Sequence, residues 1–126
     1  MVSRLSSFGL ALSLLCLCGV GLTASADPLD GEQVFKQQCA VCHSVQPGQT
    51  LAGPSLAGVM GRTAGTLDSF RFSPSMKKSG IVWSKEQIDA FLESPRRLVS
   101  GTSMAYPGER NPTARAAIVD YLAAIE

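Results

Sequence analysis

A chain of 126 residues, 45% of them apolar, with 11 Lys/Arg against 10 Asp/Glu, can bury one core and carries almost no net charge. That balance excludes the basic field by which nucleic-acid binders hold phosphates. With four cysteines and one histidine, the ways of building a metal site are few.

The N-terminus reads Met1-Val2-Ser3-Arg4, then an apolar stretch from Phe8 to Leu22, then Ala24-Ser25-Ala26. This is the anatomy of a secretory signal peptide. The stretch holds Gly9, Gly19 and Gly21, and it falls short of the roughly 20 residues that span a bilayer. The reading expects cleavage after Ala26, a leader over residues 1–26 and a mature domain over residues 27–126. It expects export to the periplasm, or an equivalent oxidising compartment, without stable membrane insertion; an uncleaved anchor is the alternative. Cys16 and Cys18 each follow a leucine where lipoprotein processing wants a small residue, so they leave with the leader. Arg4 leaves too, and ten cations then face ten anions.

In the mature chain, Asp30 followed by Gln33 is a capping-box-like pair, and Val34, Phe35, Gln38 and Cys39 lie on neighbouring turns of a short helix. This helix runs into Cys39-Ala40-Val41-Cys42-His43. From Gln46-Pro47-Gly48 to Gly80 the chain is rich in Gly, Pro and Ser, with no alternation that would mark a strand. Ser84 with Gln87 opens a second helix bearing Ile88, Phe91 and Leu92, which Pro95 stops at about Ser94. Asn111-Pro112 opens a third, with Ala117, Ile118, Tyr121, Leu122 and Ile125 on one face. Three short helices cannot cover a core beside so much loop, so something else must fill the middle.

Cys39, Cys42 and His43 form the Cys-x-x-Cys-His signature of covalent haem c. Two thiols one helical turn apart reach the two vinyl groups on one porphyrin edge, and the histidine that follows is held beneath the iron. Three other readings compete less well. A disulfide between these cysteines would close a tiny loop and add little stability. Zinc would need a fourth ligand that the chain lacks, and a thioredoxin-type pair would need a strand before its helix. The single histidine rules out bis-histidine ligation within the chain, so the iron's other axial position is open or takes Met60, Met76 or Met104. Met104 lies in a loop bracketed by Gly101 and Gly108, where an extended chain can aim one side chain inward. Met60 reads as ordinary packing, where a thioether fills an irregular gap, and Met76 as packing or surface.

The segments Cys39 to His43, Gly53-Pro54-Ser55-Leu56, Gly58 to Arg62, Gly80-Ile81-Val82-Trp83, Phe91 to Pro95 and Gly101-Thr102-Ser103-Met104, in this order, resemble class I cytochrome c. The resemblance implies an all-α fold wrapped round one haem, Met104 as sixth ligand, and first and last helices crossing at Gly31 and Tyr121. It implies that the segment at Pro54 accepts the His43 ring N–H, and that Arg62 and Trp83 bind a haem propionate. Phe72 and Phe91 stand where such proteins often carry tyrosines, and Met76 where they carry an asparagine, so drier haem surroundings are expected. Ser103 replaces a common lysine, while Arg96 and Arg97 replace a lysine pair and join Lys77 and Lys78 as a possible docking patch. The function implied is that of a monomeric electron carrier, not an enzyme, working with a membrane cytochrome complex, oxidase, reaction centre or dehydrogenase. The rivals are a peroxidase-like enzyme or gas binder with a displaceable methionine, and a subunit of a larger oxidoreductase.

Overall fold

In the computed structural model, which describes residues 28–125, four of the five helices start on a polar side chain that accepts otherwise unpaired N–H groups. Asp30 caps α1 (Gly31–Gln38) through the N–H groups of Glu32 and Gln33. Ser73 caps α2 (Pro74–Lys78), and Ser84 caps α3 (Lys85–Glu93) through Gln87 N–H at 3.2 Å. α4 (Pro95–Leu98) has no side-chain cap, and Asn111 caps α5 (Pro112–Ala123) through Thr113 and Ala114. The leader expected over residues 1–26 lies outside the described residues.

The three helices expected from sequence are α1, α3 and α5, while α2 and α4 are additions. Both additions begin on a proline, which is suited to a first turn because its missing N–H is not needed there. Pro95 therefore does two things: it ends α3, and after Ser94 leaves the helical region at φ −158° it starts α4.

α1 and α5, from opposite ends of the described chain, cross so closely that a Cβ on Gly31 would stand 2.1 Å from the Ala117 carbonyl oxygen and 2.9 Å from Tyr121 Cβ. Phe35 packs on the Tyr121 ring at 5.3 Å between centroids. Ile118 is fully buried, and α3 packs on the same helix through Ile88, Phe91 and Leu92. One buried residue of α5 is charged. Arg115, only 8% exposed, donates from Nε to Asp89 at 2.9 Å and from Nη1 to the carbonyls of Glu109 and Arg110. The Asp89 carboxylate raises its already high pKa.

No strand occurs among the described residues; the middle is fixed instead by an isolated antiparallel bridge between Thr63 and Val82. Gly61 N–H reaches Trp83 O, Trp83 N–H reaches Arg62 O, and Ala64 N–H reaches Ile81 O at 2.7 Å. These bonds hold Arg62 and Trp83 side by side on the chain segments that enclose the site.

Candidate functional site

The site is built outward from the end of α1. Cys39 N–H and Ala40 N–H both bond Phe35 O, while Cys42 N–H and His43 N–H both bond Cys39 O at 3.0 and 2.9 Å. The segment therefore continues as tight turns that carry both thiols and the imidazole to one place. Cys39 is buried and Cys42 exposed, and neither is disulfide-bonded. Burial, and then the neighbouring Cys42, pushes the Cys39 thiol up to about 11.

His43 Nδ1 lies 2.8 Å from Pro54 O. A carbonyl only accepts, so Nδ1 carries the proton and the lone pair of Nε2 is available to a metal. Burial holds the ring below its usual pKa, against the opposing pull of Pro54 O, and so favours the neutral form that metals bind. Gly53 N–H anchors the facing loop on Cys42 O at 2.7 Å, and a Cβ there would stand 2.4 Å from His43 Cε1. Only glycine lets the backbone lie against this ring.

Cys39, Cys42, His43, Arg62, Trp83 and Met104, the six site residues singled out from sequence, all line one cavity of about 390 Å³. Phe72, Met76 and Phe91 line it as well, as does Ile118 from α5, so its walls are largely apolar. Arg62 donates from Nη2 to Ser55 O at 2.9 Å and from Nη1 to Ala57 O at 3.2 Å, and burial lowers its pKa. Trp83 is 9% exposed and packs against Phe91 at 5.2 Å. Met104 comes from the loop after α4, where its N–H bonds Thr102 Oγ1 at 3.3 Å. Met60 packs against the core without lining the cavity. Two unbonded thiols, an imidazole of fixed tautomer and a thioether around an apolar cavity of this size suit a covalent haem.

The sequence reading missed two residues here. Gln38 and Tyr106 also line the cavity, and Tyr106 Oη donates to Gln38 Oε1 at 2.5 Å. No sequence signal pairs residues so far apart. Arg97, expected in a docking patch, is exposed and ion-paired with Glu93 one turn earlier.

The cytochrome c family model matches residues 29–126. The chain belongs to that family. It is 39% identical over 102 residues to cytochrome c2 of Rhodopila globiformis, covering 81% of this chain and 96% of that protein. It is 43% identical over 101 residues to cytochrome c2 of Rhodomicrobium vannielii, covering 79% and 80%. Among solved structures, cytochrome cH from Methylobacterium extorquens superposes with a TM-score of 0.71 at 35% identity, covering 78% of this chain and 98% of that one. The fold is accordingly the all-α class I cytochrome c fold, and membership of the family implies covalently bound haem c.

Proposed function

We infer that this protein is an exported, monomeric electron carrier with a single haem c, attached through Cys39 and Cys42 and ligated axially by His43 and Met104. When bound, the haem supplies an iron that gains or loses one electron at a time. Cys39 and Cys42 would hold the haem through thioethers, each S–H adding across a vinyl group without an oxidant. His43 donates from Nε2 while Pro54 O holds Nδ1–H. Met104 would hold the iron through its thioether, a soft donor that favours ferrous iron and raises the potential. Arg62 and Trp83 serve as donors to a propionate, where an unpaired buried carboxylate would be costly. With both axial positions taken by side chains, substrate finds no place on the metal, and exchange with redox protein partners follows. The periplasm is the proposed location, as the leader suggests; no described helix is long and apolar enough to cross a membrane.

The observation that carries this reading is the convergence of Cys39, Cys42, His43 and Met104 on one apolar cavity with the His43 tautomer fixed. The test is a set of spectra of the purified protein. Haem absorbance should remain with the denatured chain, the ferric form should show the long-wavelength Met–iron band, and carbon monoxide should leave the ferrous spectrum unchanged. Met104→Ala should lose the band, lower the potential and bind carbon monoxide. Uptake of carbon monoxide by the wild type would sink the carrier reading in favour of a gas binder or enzyme.

A further inference from the structure

Gln38 is the last residue of α1, and its side chain uses both ends of its amide. Its Oε1 accepts from Tyr106 Oη at 2.5 Å, and its Nε2 donates to Glu109 Oε2 at 2.8 Å. The amide can point only one way, because the carboxylate at one end accepts and cannot donate. The other oxygen of Glu109 accepts from the N–H of Asn111, the cap of α5, at 2.8 Å, and Glu109 N–H bonds Leu92 O. Chiefly through the Asn111 N–H and then Gln38, the Glu109 carboxyl is held below its usual range, so this partner stays ionised near neutral pH.

Gln38 and Tyr106 line the same cavity as Met104, so their bond joins the end of α1 to the loop that carries Met104. On one side stands the turn that carries Cys39, and on the other the loop on which Tyr106 follows Met104 by two positions. That loop is bracketed by Gly101 at φ 87° and Gly108 at φ 106°, and between them Met104 N–H bonds only its neighbour Thr102. Besides the packing of Met104 and Tyr106 against the core, the Gln38 amide ties this stretch to the end of α1.

We propose that Gln38 is a positioning residue for Met104: it latches the ligand loop to the end of α1 and thereby sets how often the thioether leaves the iron and admits another ligand. The proposal rests on the reading of Met104 as the sixth ligand. Loss of the latch removes a neutral and a charge-assisted hydrogen bond from the closed loop but not from the open one.

The test is imidazole binding to the ferric holoprotein by stopped flow, where the limiting rate at saturating imidazole reports Met104 release. Gln38→Leu should raise that rate roughly tenfold, which is about 1.4 kcal/mol. Tyr106→Phe should raise it less, and the double variant should be no faster than Gln38→Leu, because the shared bond is already gone. The Met–iron band should persist in all three before imidazole is added. Ala116→Gly, on an exposed turn of α5, weakens a helix without touching the latch and should leave the limiting rate unchanged. If Ala116→Gly accelerates release as much as Gln38→Leu does, the effect is general loosening and the latch is refuted. Wild-type rates in both Gln38→Leu and Tyr106→Phe, or additive effects in the double variant, refute it too. Should Gln38→Leu fail to yield holoprotein, Tyr106→Phe decides alone, since it keeps the ring and removes only the hydroxyl. A wild type without the Met–iron band overturns the ligand assignment itself, whereas a band with unchanged rates overturns only the latch.

Discussion

At Gly53 one hydrogen atom decides whether the imidazole of His43 can stay where Pro54 O holds it. Gly53→Ala would put a methyl 2.4 Å from Cε1 and 2.7 Å from Nδ1, and the loop cannot simply back away because Gly53 N–H is bonded to Cys42 O. Overpacking of this kind costs about 1–3 kcal/mol, and here the strain falls on the Nδ1–Pro54 bond. The expected outcome is a lower melting temperature together with a shifted reduction potential, read by calorimetry and by redox titration. A variant with the wild-type potential would mean that the ring keeps its place. At this scale the sequence was legible where chemistry is local. Cys39, Cys42 and His43 are neighbours along the chain, so their spacing already states their common task. Gln38 and Tyr106 meet only because the chain folds back between them, and each alone reads as an ordinary polar or aromatic residue.

Among the elements, the α1–α5 crossing depends on the missing side chain of Gly31. Gly31→Ala sets two effects against each other: alanine favours a helix by about 1 kcal/mol, while forcing a Cβ to within 2.1 Å of Ala117 O costs about 1–3 kcal/mol or more. The clash involves backbone that cannot rotate away, so it wins. A lower denaturant midpoint with an unchanged slope is expected, and a midpoint at or above wild type would show that the crossing has room. Longer helices were readable because α1, α3 and α5 each pair a polar cap with apolar residues at helical spacing. α2 and α4, of five and four residues, are too short for a period to register; Pro74 fell in the Gly-, Pro- and Ser-rich stretch, and Pro95 read as a stop because a proline forbids the turn before it although it suits the turn after. Arg115 was missed because no periodicity argument puts a guanidinium on a buried face; only the carboxylate of Asp89 and two carbonyls make that burial tolerable.

For the whole molecule, near-neutrality means that encounter with partners is governed by where charge sits. Arg96, Arg97, Lys77 and Lys78 are all exposed cations that can steer an acidic partner, with Glu93 beside Arg97 offsetting part of their charge. Electron transfer to a native partner should slow as salt rises, since exposed charges are screened beyond about 8 Å at physiological ionic strength. Arg96→Gln/Arg97→Gln should be slower than wild type at low salt and converge with it at high salt. Equal rates for this double variant and wild type at every salt concentration would place recognition on other residues. The seam between α1 and α5 has a further meaning in terms of topology. Everything from Cys39 to Asn111 is one loop, and the seam closes its neck. Closing a flexible loop of that length costs about 4 kcal/mol of chain entropy beyond a constant, and the cost grows so slowly with length that added residues in the middle would hardly change it. The Gln38–Glu109 bond ties the neck, from the last residue of α1 to a residue two before the cap of α5. All six residues of the cavity singled out above lie on the loop that this closure spans, so the seam limits how far they can separate, while local bonds such as His43 Nδ1–Pro54 O fix the place of each.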